Sequence, residues 1–164
     1  CLLKTTSVMY NGSGKIELTG CLGDILRESV YVAMAYIKAN NYILDIDNDV
    51  FKNNDFHIHF EAGSVFKDGP SAGVALISSI ISLVKKRAID SSVSMTGEIT
   101  LRGRVLPIGG LREKSIAAHR SGLSKIIIPK ENLKDLEEVP ESIKNELEIV
   151  AASTVDEVIS NSLL

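Results

Sequence analysis

"KDGPSAGVALISSIISLVKKR", residues 67–87, passes from a glycine- and proline-marked loop into an apolar stripe, Val74, Ile77, Ile81 and Val84, at helical spacing. The stretch predicts a helix with Ser71 at its N-terminus and Lys85 at its end. Just upstream, "DFHIHF", residues 55–60, alternates with period two, so Phe56, Ile58 and Phe60 face one way and His57 and His59 the other. That pattern is a half-buried strand. Working outward, Leu26, Val30, Ala33, Met34 and Ile37 recur at helical spacing from Asp24, a candidate N-cap, to Asn40 and Asn41. "YNGSGKIEL", residues 10–18, reads as a hairpin turn between two strands, with Asn11, Gly12 and Gly14 supplying positive φ. Downstream, "SVSMTGEITLRGRVLPI" reads as strands turning at Arg102 and Gly103, followed by a helix from Leu111 to Arg120 stopped by Gly122. "KIIIP" and "LEIVAA" are further strands, and "TVDE", residues 154–157, is a capping box opening a last helix. The fold class expected is α+β. The Asn-rich stretch around residues 40–54 speaks only of composition.

The chain has 164 residues, 45% of them hydrophobic, enough for one domain over residues 1–164 with one core. Its first residue is Cys and "LLKTTSVM" opens in mid-strand style, so a piece of a longer polypeptide is expected. A net charge of −3 argues against a nucleic-acid surface, and the short basic run Lys85–Arg87 is read as complementing a helix C-terminus. Two cysteines, Cys1 and Cys21, make no disulfide scaffold and lack metal-ligand spacing, which fits a reducing compartment. "VALISSIISLV" is too short to span a bilayer and is broken by serines, so a soluble protein with no membrane partner is expected.

Two short motifs invite enzymatic readings and fail. "GSGK" would be a phosphate loop only with Gly at position 9 and Ser or Thr at 16, where the chain has Met9 and Ile16. "GPSAG" satisfies the nucleophile elbow of α/β-hydrolases, but the only downstream histidine, His119, falls inside the helix 111–120. A serine can instead be activated by a lysine whose ammonium is destabilised. On a helical wheel Lys114 falls among Leu111, Ala117 and Ala118, the apolar stripe of its helix. Bringing a lysine from roughly 10.4 to near 7 requires about 4 kcal/mol of differential destabilisation of the charged form, within what desolvation supplies. Periodicity alone favours the other reading, in which Lys114 lays its stem on the core and reaches water. Ser71 has two readings as well, a helix cap or a nucleophile beside the positive end of the helix dipole. His57 and His59 read as a polar face rather than as metal ligands, because nothing at suitable spacing completes a site. Asp68 either caps the loop or shapes the surroundings of Ser71, and Thr96 and Glu98 read as strand and turn residues.

"KDGPSAG" combined with "MTGEITLRGRVLPIGGLREKSIAAHRSG", residues 95–122, resembles the proteolytic domain of the ATP-dependent Lon proteases of bacterial type. The resemblance covers nearly the whole chain, including "KIELTGCLGDILRES" and "IIIPKENLKDLEEVP". It implies a serine endopeptidase with a Ser-Lys dyad, Ser71 as nucleophile and Lys114 as base, without a metal or cofactor in this domain. It also implies supporting roles for Thr96, whose hydroxyl helps orient the lysine, for Asp68 of the serine motif, and for the paired histidines His57 and His59. The fold implied is a two-layer α+β arrangement similar to a domain of a small-subunit ribosomal protein.

Further implications concern the parts of such a protein beyond this domain. They are an ATPase module using ATP and Mg that unfolds and threads substrates, an N-terminal domain, a homo-hexameric ring, misfolded and regulatory proteins or peptides as substrates, and a cytoplasmic location or an organelle matrix. A non-catalytic relative used for ring assembly or binding is the competing class; retention of both Ser71 and Lys114 argues against it. Two positions depart from the family's usual pattern. Its glutamate falls on Ala62, with Glu61 expected on the opposite face of an extended segment, and Phe66 stands where a proline is usual, with consequences expected for the cleft.

Overall fold

The computed structural model describes residues 2–164, so that Cys1 lies outside the described residues. The N-terminal sheet contains β1 (Thr5–Asn11), β2 (Ile16–Thr19) and β3 (Asn54–Phe60) in the order β1-β3-β2. β1 runs antiparallel to β3 and β2 parallel to it. The expected hairpin is therefore a miss: β1 and β2 each pair with β3, not with one another. The reason is burial, because Phe56, Ile58 and Phe60 are at most 1% exposed and take the central strand, where both neighbours shield them. The link between β1 and β2 arches over the end of β3, and only Gly14 of the three residues expected there has positive φ, at 96°. Its backbone N–H groups serve an internal carboxylate. Asp55 Oδ1 accepts from Ser13, Gly14 and Lys15 at 2.8, 3.1 and 2.8 Å, and the donors, Ser13 and Lys15 foremost, hold this carboxyl below the usual range.

α1 (Asp24–Ala39) buries Leu26, Val30, Ala33, Met34 and Ile37, the stripe that its periodicity predicts. Asp24 is its first helical residue, not its cap; the cap position is Gly23, with no side chain to offer. A short α2 (Val50–Asn53) lies within the Asn-rich stretch, in which Leu44 and Ile46 are buried. α3 (Gly73–Lys85) begins after Ser71 and ends at Lys86, in the left-handed conformation with φ 53°. The basic run lies at that end, with Lys85 in the last turn of α3, but its side-chain bonds go to other parts of the chain: Lys85 Nζ donates to Leu44 O at 2.7 Å and Arg87 Nε to Leu164 O at 2.9 Å.

The second half contains β4 (Val93–Met95), β5 (Glu98–Ile99), β6 (Val105–Leu106), α4 (Leu111–Arg120), β7 (Lys125–Pro129), α5 (Glu141–Glu146), β8 (Glu148–Ala152) and α6 (Val155–Ser162). β4, β7 and β8 form a parallel sheet in the order β4-β7-β8, while β5 and β6 make the expected hairpin around Gly103, φ 76°. The capping box of α6 is present: Thr154 Oγ1 accepts from Glu157 N at 3.3 Å and the Glu157 carboxylate accepts from Thr154 N at 3.2 Å. A 3-10 segment, Lys130–Glu138, and α5 fill the β7–β8 crossover.

Apolar packing divides into two clusters where one core is expected. The larger joins α1, α3 and the N-terminal sheet with Val155 and Val158 of α6; the smaller gathers Leu111 and Ala118 of α4 with Ile126, Ile128, Val139, Ile143 and Leu147. Alternation along β7 separates them, since Ile127 enters the first cluster while Ile126 and Ile128 enter the second. α3 thus belongs to one cluster and α4 to the other, and a cavity opens between them. Among the described residues, no helix is long and apolar enough to cross a membrane.

Candidate active site

Ser71 sits in the turn just before α3, and its side chain does not cap the helix: the cap is Ala72, with no side-chain bond. Its carbonyl is held twice, accepting from Gly97 N at 2.8 Å and from Thr96 Oγ1 at 3.3 Å. Both donors come from the link between β4 and β5, so the turn that holds Ser71 is tied to the second sheet. Glycine at 73 is required for this approach, because a Cβ there would meet Ile99 N at 3.0 Å and Gly97 O at 3.2 Å. The N–H groups of Gly73 and Val74 are engaged, by Pro70 O and Gly97 O, both at 3.1 Å. The N–H groups of Ser71 and Ala72 have no backbone partner among the described residues.

Lys114, on the first turn of α4, reaches the same space. Ser71, Thr96 and Lys114 line one cavity of about 400 Å³ together with Ala72, Ala117 and Ile126. Burial lowers the Lys114 pKa from its ordinary 10.5, and no charged neighbour contributes to that shift. Among the described residues Lys114 forms no ion pair. Thr96 is buried, and its hydroxyl donates to the Ser71 carbonyl instead of meeting Lys114; its oxygen lone pairs remain free to accept from an ammonium. Thr96→Val keeps the shape and leaves the Ser71 carbonyl with Gly97 N. The expected result is a loss of stability of about 1 kcal/mol in chemical denaturation and a fall in kcat of about 10-fold from the slackened nucleophile turn.

A second cavity, about 610 Å³, lies on the other side of Ser71 and is lined by Leu2–Lys4, Leu26, Glu61–Ala62 and Val65–Gly69. Phe66, 66% exposed, stands on its wall. The segment before it is not extended: Ala62 turns the chain with φ 59°, and Glu61 also faces this cavity. Asp68 makes the loop cap expected of it and a second, remote one. Its Oδ1 accepts from Gly69 N and from Leu26 N, both at 2.9 Å, and so caps α1 from a remote loop. Gly23 makes room for it, since a Cβ there would collide with the Asp68 carboxyl. Asp68→Ala is expected to cost about 1 kcal/mol in urea denaturation, the usual magnitude for a lost N-terminal cap, with Asp68→Asn closer to wild type.

His57 and His59 stand elsewhere. They occupy the outward face of β3, where Thr19 Oγ1 bonds both rings, to His57 Nε2 at 2.9 Å and His59 Nδ1 at 2.7 Å. Neither lines the cavities beside Ser71. His119 pairs with Glu146 at 2.7 Å. No cluster of groups able to hold a metal ion occurs among the described residues. The bond from Lys67 Nζ to Gly20 O, at 2.7 Å and 47 residues away, escaped the sequence reading because it leaves no trace in spacing.

Residues 1–164 match the family described as the Lon protease (S16) C-terminal proteolytic domain. The chain belongs to that family. It is 52% identical over 153 residues to the Lon protease of Bacillus thuringiensis (strain Al Hakam), covering 93% of this chain and 19% of that protein. It is 50% identical over 159 residues to the Lon protease of Aster yellows witches'-broom phytoplasma (97% and 20%), and 49% identical over 163 residues to that of Azospirillum brasilense (99% and 20%). The chain spans about a fifth of the length of these relatives. Within the Lon proteolytic-domain family, a serine peptidase family, the two long motifs of this sequence fall on the two walls of the cavity between α3 and α4.

Proposed function

We propose that this domain is the peptidase of an ATP-dependent endopeptidase and that Ser71 and Lys114 form its dyad. What supports this reading is that a serine and an unpaired lysine, from different elements and different apolar clusters, line one cavity where burial disfavours the lysine's charge. Neutral Lys114 accepts the Ser71 hydroxyl proton as Oγ attacks the scissile carbonyl carbon. The N–H groups of Ser71 and Ala72 receive the developing oxyanion. The resulting ammonium returns its proton to the leaving amine, the C–N bond breaks, and the acyl-enzyme remains on Ser71. Water, deprotonated by the same lysine, then attacks the ester carbonyl and frees Ser71. Thr96 holds the nucleophile turn through the Ser71 carbonyl and offers its oxygen to the ammonium.

In this reading the substrates are unfolded polypeptides and peptides. The rest of the chain supplies the ATPase, using ATP and Mg, with assembly as a homo-hexamer in the cytoplasm. The test is hydrolysis of an unstructured fluorogenic peptide and ATP-dependent degradation of a misfolded protein by the full-length chain, beside Ser71→Ala. Loss of both activities in the variant supports the reading. Equal inertness of two folded proteins would return the chain to the non-catalytic class.

A further inference from the structure

The loop that leads to Ser71 has little to hold it. Residues 61–66 are exposed, Val65 at 57% and Phe66 at 66%, and none belongs to either apolar cluster. Two residues around it adopt the left-handed conformation without being glycine, Ala62 and Cys21, both with φ 59°. Such conformations persist only where the surroundings fix them. One side chain touches all of these places. Lys67 Nζ donates to Gly20 O, Ala62 O and Val65 O, each at 2.7 Å. An ammonium has three donors, and here all three are engaged by backbone carbonyls. The backbone of the same residue is pinned too, with Lys67 N donating to Cys21 O at 3.0 Å and Gly23 N donating to Lys67 O at 2.8 Å.

We propose that Lys67 is a positioning residue for the nucleophile: its ammonium staples the 62–66 loop to the turn before α1, and so sets where Ser71 stands. This rests on Ser71 being the nucleophile. The geometry passes along the chain in short steps. Lys67 fixes the loop against Gly20 and Cys21, Asp68 fixes the next residue to the N-terminus of α1 through Leu26 N, and Pro70 O accepts from Gly73 N at the start of α3. Ser71 lies inside the last of these bonds. Three carbonyls converging on one atom suit an ammonium, which is a point donor; the planar fork of arginine directs its hydrogens differently. Without the staple, the left-handed Ala62 loses the bond on its carbonyl that opposes relaxation, and the loop shifts beside the cavity it lines.

The experiment compares wild type, Ser71→Ala, Lys67→Met and Lys67→Arg in the full-length protein. It reads kcat and KM on a short fluorogenic peptide, the pH profile, melting temperature and amide hydrogen exchange over residues 20–26 and 62–71. Lys67→Met is expected to lower kcat by about 30- to 100-fold, with KM within about 3-fold, because a displaced nucleophile costs rate more than binding. Its pH midpoint stays that of wild type, since Lys114 is on α4, and exchange accelerates in both segments. Lys67→Arg recovers only part of the rate. Retention of kcat within about 3-fold, a loss confined to KM, a loss that tracks the unfolded fraction, or full recovery by arginine overturns the proposal. If wild-type hydrolysis is insensitive to Ser71→Ala, the peptidase reading fails instead. The exchange data then decide the staple by themselves, with acceleration supporting it and unchanged exchange overturning it.

Discussion

Ser71→Ala is expected to abolish peptide hydrolysis, with kcat falling by a factor on the order of 10⁴ to 10⁶, the range for removal of a serine nucleophile that works with a base. The fold should hardly register the change. Ser71 Oγ does not cap α3, and the bonds that fix the turn, from Gly97 N and Thr96 Oγ1, go to the carbonyl, which alanine keeps. Stability within about 0.5 kcal/mol of wild type is the expectation for a substitution that removes no buried bond. Binding should persist as well, because the cavities on both sides of residue 71 remain. A folded variant that still binds peptide but does not cut it separates a lost nucleophile from a lost structure. Substantial residual turnover would mean that another group attacks the substrate.

Lys114→Met is expected to bring the second large effect, a loss of kcat of about 10³-fold or more, and it carries a signature in stability of the opposite sign. In wild type the reactive form is the neutral amine, so kcat/KM should rise with pH through a pKa lowered from 10.5 by burial. For stability the same depression has a cost. A lysine whose folded pKa lies below its unfolded value binds its proton more weakly when folded, so its ammonium destabilises the fold fully below the folded pKa. That penalty fades as pH rises from the folded pKa toward the unfolded 10.5. Lys114→Met, which keeps the apolar stem and removes the charge, should therefore melt higher than wild type at neutral pH. The difference should shrink as the pH approaches 10. A variant that is less active but more stable indicates a residue kept for chemistry; one that is destabilised indicates a structural lysine.

Most of the frame was legible because its signals are local. The period-two run of β3, the helical stripes of α1 and α3, the Gly122 stop after α4 and the Thr154–Glu157 box each need only a few neighbouring residues to be recognised. Where partners are remote, the reading fails. β1 and β2 looked like a hairpin because a glycine-rich turn joins them, yet the apolar weight of Phe56, Ile58 and Phe60 puts β3 between them. The 3-10 segment after β7 carries its apolar residues, Leu133 and Leu136, at three-residue spacing, too short a stripe to be read as a helix, and it forms in the crossover. In the site, the motifs named Ser71 and Lys114, but what surrounds them was hidden. Thr96 lines the cavity with Lys114 and also bonds the Ser71 carbonyl, which its place in the sequence did not announce. Asp68 caps a helix more than forty residues earlier in the chain, through Leu26 N. Of the three carbonyls that Lys67 bonds, Ala62 O and Val65 O are near in sequence and Gly20 O is remote, so the link to the turn before α1 was out of reach of any spacing rule.

The central claim, that Lys114 activates Ser71, is tested most directly by trapping the nucleophile. The full-length protein is treated with an aryl fluorophosphonate over a range of pH, and the modified residue and its rate of formation are read by mass spectrometry, beside Lys114→Met. Oγ bonds to phosphorus, fluoride leaves, and the hydroxyl proton goes to the base. The account predicts a single adduct on Ser71, with a rate that climbs through the lowered lysine pKa and collapses in the variant. A folded protein that forms no adduct at Ser71, or forms it equally fast without Lys114, would contradict it.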